Sequence, residues 1–156
     1  MFSRKLTDNE IKLLQSIYFN EVDFTKVRIT KKHLFSFLLR KFSGITFGNK
    51  IIFTKKSYRL DFSETISDSA LLVHEICHVW QYQNTNYWWF KAMLEHIKFG
   101  KDVYKYELTE NKYFNNYRYE QQGEIMADYY RNIAYNNLEM IGKYKNVIDN
   151  FDKIRV

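Results

Sequence analysis

Proline is missing altogether from this chain of 156 residues, and only five glycines are present. No Pro-rich or Gly/Ser-rich stretch therefore marks an internal linker, and the length suits a single domain with a real core, 1–156. A lone cysteine, Cys77, excludes an intramolecular disulfide and is compatible with a reducing compartment. No run of about 18 apolar residues is available to cross a membrane as a helix. The N-terminus, Met1-Phe2-Ser3-Arg4-Lys5-Leu6, lacks the apolar segment and cleavage site of a secretory signal. The expectation is a soluble protein made in the cytoplasm, with any export independent of a cleaved signal.

Acidic residues are outnumbered, 18 against 24 Lys and Arg, which leaves a net charge of +6. The basic residues are dispersed, with short pairs only at Lys31-Lys32, Arg40-Lys41 and Lys55-Lys56, and no helix-turn-helix or ribonucleoprotein motif accompanies them. A solvated surface is expected rather than a specific nucleic-acid groove; an anionic partner such as cell-wall polymer or a membrane surface stays open. Aromatics are dense, and Tyr87-Trp88-Trp89-Phe90 is the richest cluster. These rings are expected in the core and on half-buried faces, with a hydrophobic docking patch at Trp88 and Trp89 as the alternative.

Histidine is also scarce, four in all, yet two fall in His74-Glu75-Ile76-Cys77-His78. Residues four apart share one face of a helix, so His74 and His78 can bind one zinc ion through neutral imidazoles while Glu75 reaches the water such an ion activates. The apolar run from Ala70 to Trp80, with no Gly or Pro, predicts a helix over 67–84 capped by Ser67, with Asp68 in its first turn. Cys77, about 100° round the helix from His78, reads as an inert small hydrophobe.

A catalytic zinc site needs three protein ligands and an open position. The metzincin spacing fails, because Asn84 stands where a third histidine would be and Gln81 replaces the glycine. His33 and His96 are open as ligands but read better as surface or half-buried histidines. Glu120, Glu124 and Asp128 fall at i, i+4 and i+8, one stripe of a helix, and repel one another unless a cation faces them. Glu95 and Glu107 are fallbacks with no carboxylate four residues on.

At these residues the chain resembles the gluzincin peptidases, in which a second helix carries E-x-x-x-D, here Glu124 and Asp128. The resemblance implies Glu124 as third zinc ligand; Glu120 is the substitute if the register is off by one helical turn. It also implies Asp128 as acceptor for the far nitrogen of a bound histidine, His74, which fixes the tautomer of that ring. Leu71 to Gln83, with Ile45 to Phe53, Asp61-Phe62-Ser63 and Glu120-Gln121-Gln122, resembles small bacterial proteins labelled Vgr-related or Rhs-type, which are associated with type VI secretion loci and predicted to be zinc metallopeptidases. That likeness runs from about residue 25 to 135. Gly123 departs from the alanine expected there, which weakens the helix by about 1 kcal/mol.

The expected elements are a helix over 8–19 with a capping box of Thr7 and Glu10, and a strand at 27–29. Residues 33–42 read as either helix or buried strand, followed by a hairpin of 45–47 and 50–54 turning at Gly48-Asn49 and a strand at 58–62. After the motif helix come a helix over 87–99 ending at Gly100, an ambiguous 103–108, the acidic-stripe helix, and a last helix over 142–154. The class is α+β, and the resemblance implies a minimal zincin-like domain in which an edge strand, the hairpin, pairs with extended substrate.

The expected function is zinc-dependent hydrolysis of a peptide or protein substrate. Zn²⁺ on His74, His78 and Glu124 would polarise the carbonyl, Glu75 would act as general base and then acid, and Tyr117 or Tyr113 would steady the oxyanion. A role with a type VI secretion component, as effector or processing protease, follows from the resemblance. The alternatives are a zinc-stabilised interaction module without turnover and a metal-free adaptor.

Overall fold

In the computed structural model, which describes residues 2–31, 43–85, 89–109 and 111–148, Thr7 opens the first helix as its spacing predicts. The Thr7 hydroxyl accepts from Glu10 N at 3.1 Å, and the Glu10 carboxylate accepts from Thr7 N at 2.8 Å, at the head of α1 (Asp8–Tyr18). Glu10 is fully buried and takes three further bonds, two from the Arg4 guanidinium at 2.8 and 2.7 Å and one from Phe62 N at 2.9 Å. A buried carboxylate is tolerated only when so answered. These bonds fasten the N-terminal strand and α1 to the segment that leads into the motif helix.

The chain divides into two compact units, Met1–Tyr87 and Trp88–Val156. In the first, β1 (Phe2–Arg4), β2 (Arg28–Lys31), β3 (Gly44–Phe47) and β4 (Lys50–Phe53) form a sheet in the order β1-β2-β4-β3. β1 and β2 are antiparallel, β2 and β4 parallel, and β3 and β4 an antiparallel hairpin, so β3 is an edge strand. Gly48 turns that hairpin at φ +60°, the left-handed conformation that glycine adopts without strain. Ile29 and Ile51 are paired and buried, and Phe53 meets Phe62 at a centroid distance of 4.4 Å. The motif helix is α2 (Ile66–Asn84).

The second unit holds α3 (Trp89–Phe99), α4 (Tyr119–Ala134) and α5 (Leu138–Ile148), with two short 3-10 turns between α3 and α4 and a tight turn between α4 and α5. Gly100 closes α3 at φ +54°, where predicted. Gln121 ties the head of α4 to the preceding loop: its Oε1 accepts from Arg118 N at 3.0 Å and its Nε2 donates to Lys105 O at 2.5 Å. Gln122 donates to Tyr117 O at 2.9 Å. The four strands all precede the motif helix and only helices and 3-10 turns follow it among the described residues, an α+β fold in which no described helix is long and apolar enough to cross a membrane.

Several expectations need correction. β1 was not foreseen. Residues 58–62 form no strand, because Arg59 O and Phe62 N are bonded to side chains, Arg4 and Glu10, instead of to a neighbouring strand. α2 is capped by Thr65, whose hydroxyl accepts from Asp68 N at 3.1 Å, rather than by Ser67, which is the second residue of the helix. Residues 100–104 are a 3-10 turn, and the last helix begins at Leu138 rather than at 142. The predictions for 33–42 and for Trp88 lie outside the described residues.

Candidate metal centre

α2 carries the H-E-x-x-H motif through the interior of the first unit, with Leu72, Val73, Ile76, Val79 and Trp80 buried around it. His74, Glu75 and His78 are themselves at most 7% exposed. Helical spacing alone would leave the two imidazoles near each other; here their Nε2 atoms converge to 3.2 Å, with the rings edge-on at 79°. Two nitrogens bound at about 2.05 Å to one tetrahedral zinc stand about 3.3 Å apart. The pair therefore fits such an ion without rearrangement.

His78 is oriented through its other nitrogen. Nδ1 lies 2.8 Å from Oε1 of Gln81, a fully buried side chain one turn further on, and the Gln81 amide nitrogen lies 3.9 Å from Cys77 Sγ. With the amide oxygen toward His78, the ring donates from Nδ1 and keeps its Nε2 lone pair for a ligand. Gln81 is the residue that breaks the metzincin spacing, and position i+3 on the helix face of His78 was the sequence signal for this contact.

Glu75 turns toward the edge strand. Thr46 donates its hydroxyl to Glu75 Oε2 at 2.7 Å. Beside it, a Cβ on Gly44 would come within 2.6 Å of Glu75 Oε1. Glycine at 44 thus makes the space for the carboxylate, and Thr46, two residues along and on the same strand face, holds it. No local pattern reveals this contact, since 29 residues separate the partners.

In the second unit the acidic stripe of α4 is divided. Glu120, in the first turn, is buried, with Oε1 at 2.9 Å from His96 Nε2. Glu124 and Asp128 are 30% and 32% exposed and share Arg131, at 3.9 Å and 2.5 Å. Tyr106 donates to the other oxygen of Asp128 at 2.5 Å, and burial together with that bond holds the phenol proton far above its ordinary range. Arg131 is therefore a cation answering the lower stripe from beyond its C-terminal end, at position 131. Burial raises the Glu95 carboxyl pKa. Tyr117 is buried and donates to Glu107 O at 2.9 Å, which commits its proton to the main chain, whereas Tyr113 is 56% exposed.

No protein-family model matches the chain. It is similar to the type VI secretion system spike protein VgrG2b of Pseudomonas aeruginosa, 28% identical over 130 residues; the match takes in 81% of this chain but only 13% of the spike protein's length. Its structure is similar to the solved effector domain of Pseudomonas aeruginosa VgrG2b, with a TM-score of 0.79 and 25% identity over 92% of this chain and 83% of that one. Sequence and fold together relate the chain to that effector domain.

Proposed function

We propose that this chain is a zinc-dependent peptidase that acts as a type VI secretion effector. The observation that carries the reading is the 3.2 Å approach of the His74 and His78 Nε2 atoms within a buried H-E-x-x-H helix, the separation two ligands of one tetrahedral ion require. The likeness to the VgrG2b effector domain supplies the secretion context.

For the third ligand we assign Glu120 in place of Glu124. The choice rests on α4 alone: Glu120 is a buried carboxylate, a donor of the type zinc takes. Glu124, by contrast, is partly exposed beside Arg131. Zinc held there would supply Lewis acidity toward a peptide carbonyl and a water near neutral pH. Glu75 takes the proton of the attacking water and passes it to the leaving amine nitrogen, working as base and then acid. Thr46 and the space at Gly44 hold its carboxylate on β3 while it does so. That edge strand also offers main-chain groups to an extended peptide.

The test is the Glu75→Gln variant, assayed for zinc content and for cleavage of a mixed peptide library. Retained zinc with cleavage reduced by about 10²–10⁴-fold supports the reading. Cleavage at the wild-type rate by a zinc-loaded variant refutes it.

A further inference from the structure

The spacing of the motif accounts for His74, Glu75 and His78, but not for Gln81. A glutamine with no exposed surface, here in the last turn of α2, is a costly choice unless both ends of its amide are used. Here Oε1 faces His78 Nδ1 at 2.8 Å and Nε2 faces Cys77 Sγ at 3.9 Å. With the amide nitrogen toward the sulfur, the amide oxygen faces His78, and an acceptor there selects the ring nitrogen that carries the proton.

We propose that Gln81 is the positioning residue of the metal centre: its oxygen holds His78 as the Nδ1–H tautomer and aims the Nε2 lone pair at the point it shares with His74 Nε2. The inference rests on the reading of the two histidines as zinc ligands. A histidine ligand without such an acceptor divides between tautomers, only one of which can bind through Nε2. The acceptor is carried one turn along the same helix, within the first unit.

The experiment uses the full chain and two substitutions, Gln81→Met, which keeps the volume and removes the acceptor, and Gln81→Glu, which restores one. Two readouts are taken. Long-range ¹⁵N–¹H correlation on the metal-free protein reports the tautomer of His78. Competition with a chromophoric chelator reports zinc affinity. In the wild type, His78 is expected with Nδ1 protonated and Nε2 bare. Gln81→Met is expected to mix the tautomers and to weaken zinc binding by about 10–100-fold, and Gln81→Glu to return the affinity to within about threefold of wild type.

A Gln81→Met protein that binds zinc like the wild type, with His78 still protonated at Nδ1, overturns the proposal and leaves the zinc reading standing. If Gln81→Met only lowers the melting temperature and neither readout moves, Gln81 is a packing residue and the proposal is likewise refuted. A wild-type chain that binds no zinc while His78 shows the expected tautomer refutes the zinc reading itself, and the positioning role with it.

Discussion

Two buried carboxylates in the first unit, Glu10 and Glu75, are nearly equal in exposure, 0% and 4%, and opposite in their surroundings. Glu10 receives four hydrogen bonds, from the Arg4 guanidinium and the amides of Thr7 and Phe62. Glu75 receives one, from Thr46, and lies beside two converging imidazoles. Burial alone does not distinguish a structural acid from a chemical one; the number of donors already committed to it does. An acid with every lone pair answered is fixed in charge and place. One with a single donor and a neighbouring ligand pair keeps capacity to move a proton.

That contrast can be broken or sharpened by substitution. The largest effect is expected at Glu75, where Glu75→Gln lowers turnover by about 10²–10⁴-fold yet costs less than about 1.5 kcal/mol of stability, because only one bond is altered. Next comes Glu10→Ala, which is expected to cost about 3–5 kcal/mol in denaturant titration by removing the carboxylate that joins the half-buried Arg4 guanidinium to the amides of Thr7 and Phe62. A stability loss at Glu75 equal to that at Glu10 would erase the distinction. On α4 the same comparison recurs: Glu120→Gln should weaken zinc binding by more than about tenfold, while Glu124→Gln leaves it within about threefold, both measured by chelator competition. The reverse order would return the ligand role to Glu124. The smallest effect is at the edge strand, where Thr46→Val is expected to lower kcat by about tenfold with KM and zinc content unchanged, and Thr46→Ser to restore it.

Local rules made half of this site legible. The H-E-x-x-H spacing placed three side chains on one helix, the Thr7–Glu10 box placed α1, and Gly48-Asn49 placed the hairpin, all through interactions within a few residues. What stayed hidden was long-range. Thr46 and Gly44 meet Glu75 only because β3 is the sheet edge against α2, and Glu10 meets Phe62 across 52 residues. The failure at 58–62 has the same origin, since its apolar and aromatic residues suit a strand while its main-chain groups go to distant side chains. β1, three residues long, is too short for alternation to register. Arg131 lies three positions beyond Asp128, and Gln81 three beyond His78; both contacts are local, but neither belongs to the i, i+4 spacing of the H-E-x-x-H and E-x-x-x-D patterns.

The most direct measurement is anomalous diffraction at the zinc edge from crystals of the full chain grown with zinc. A single strong peak about 2.0–2.1 Å from Nε2 of both His74 and His78, lost in the His78→Ala variant, is the result expected. No peak between the two rings, in crystals where the imidazoles keep their 3.2 Å approach, would contradict the account.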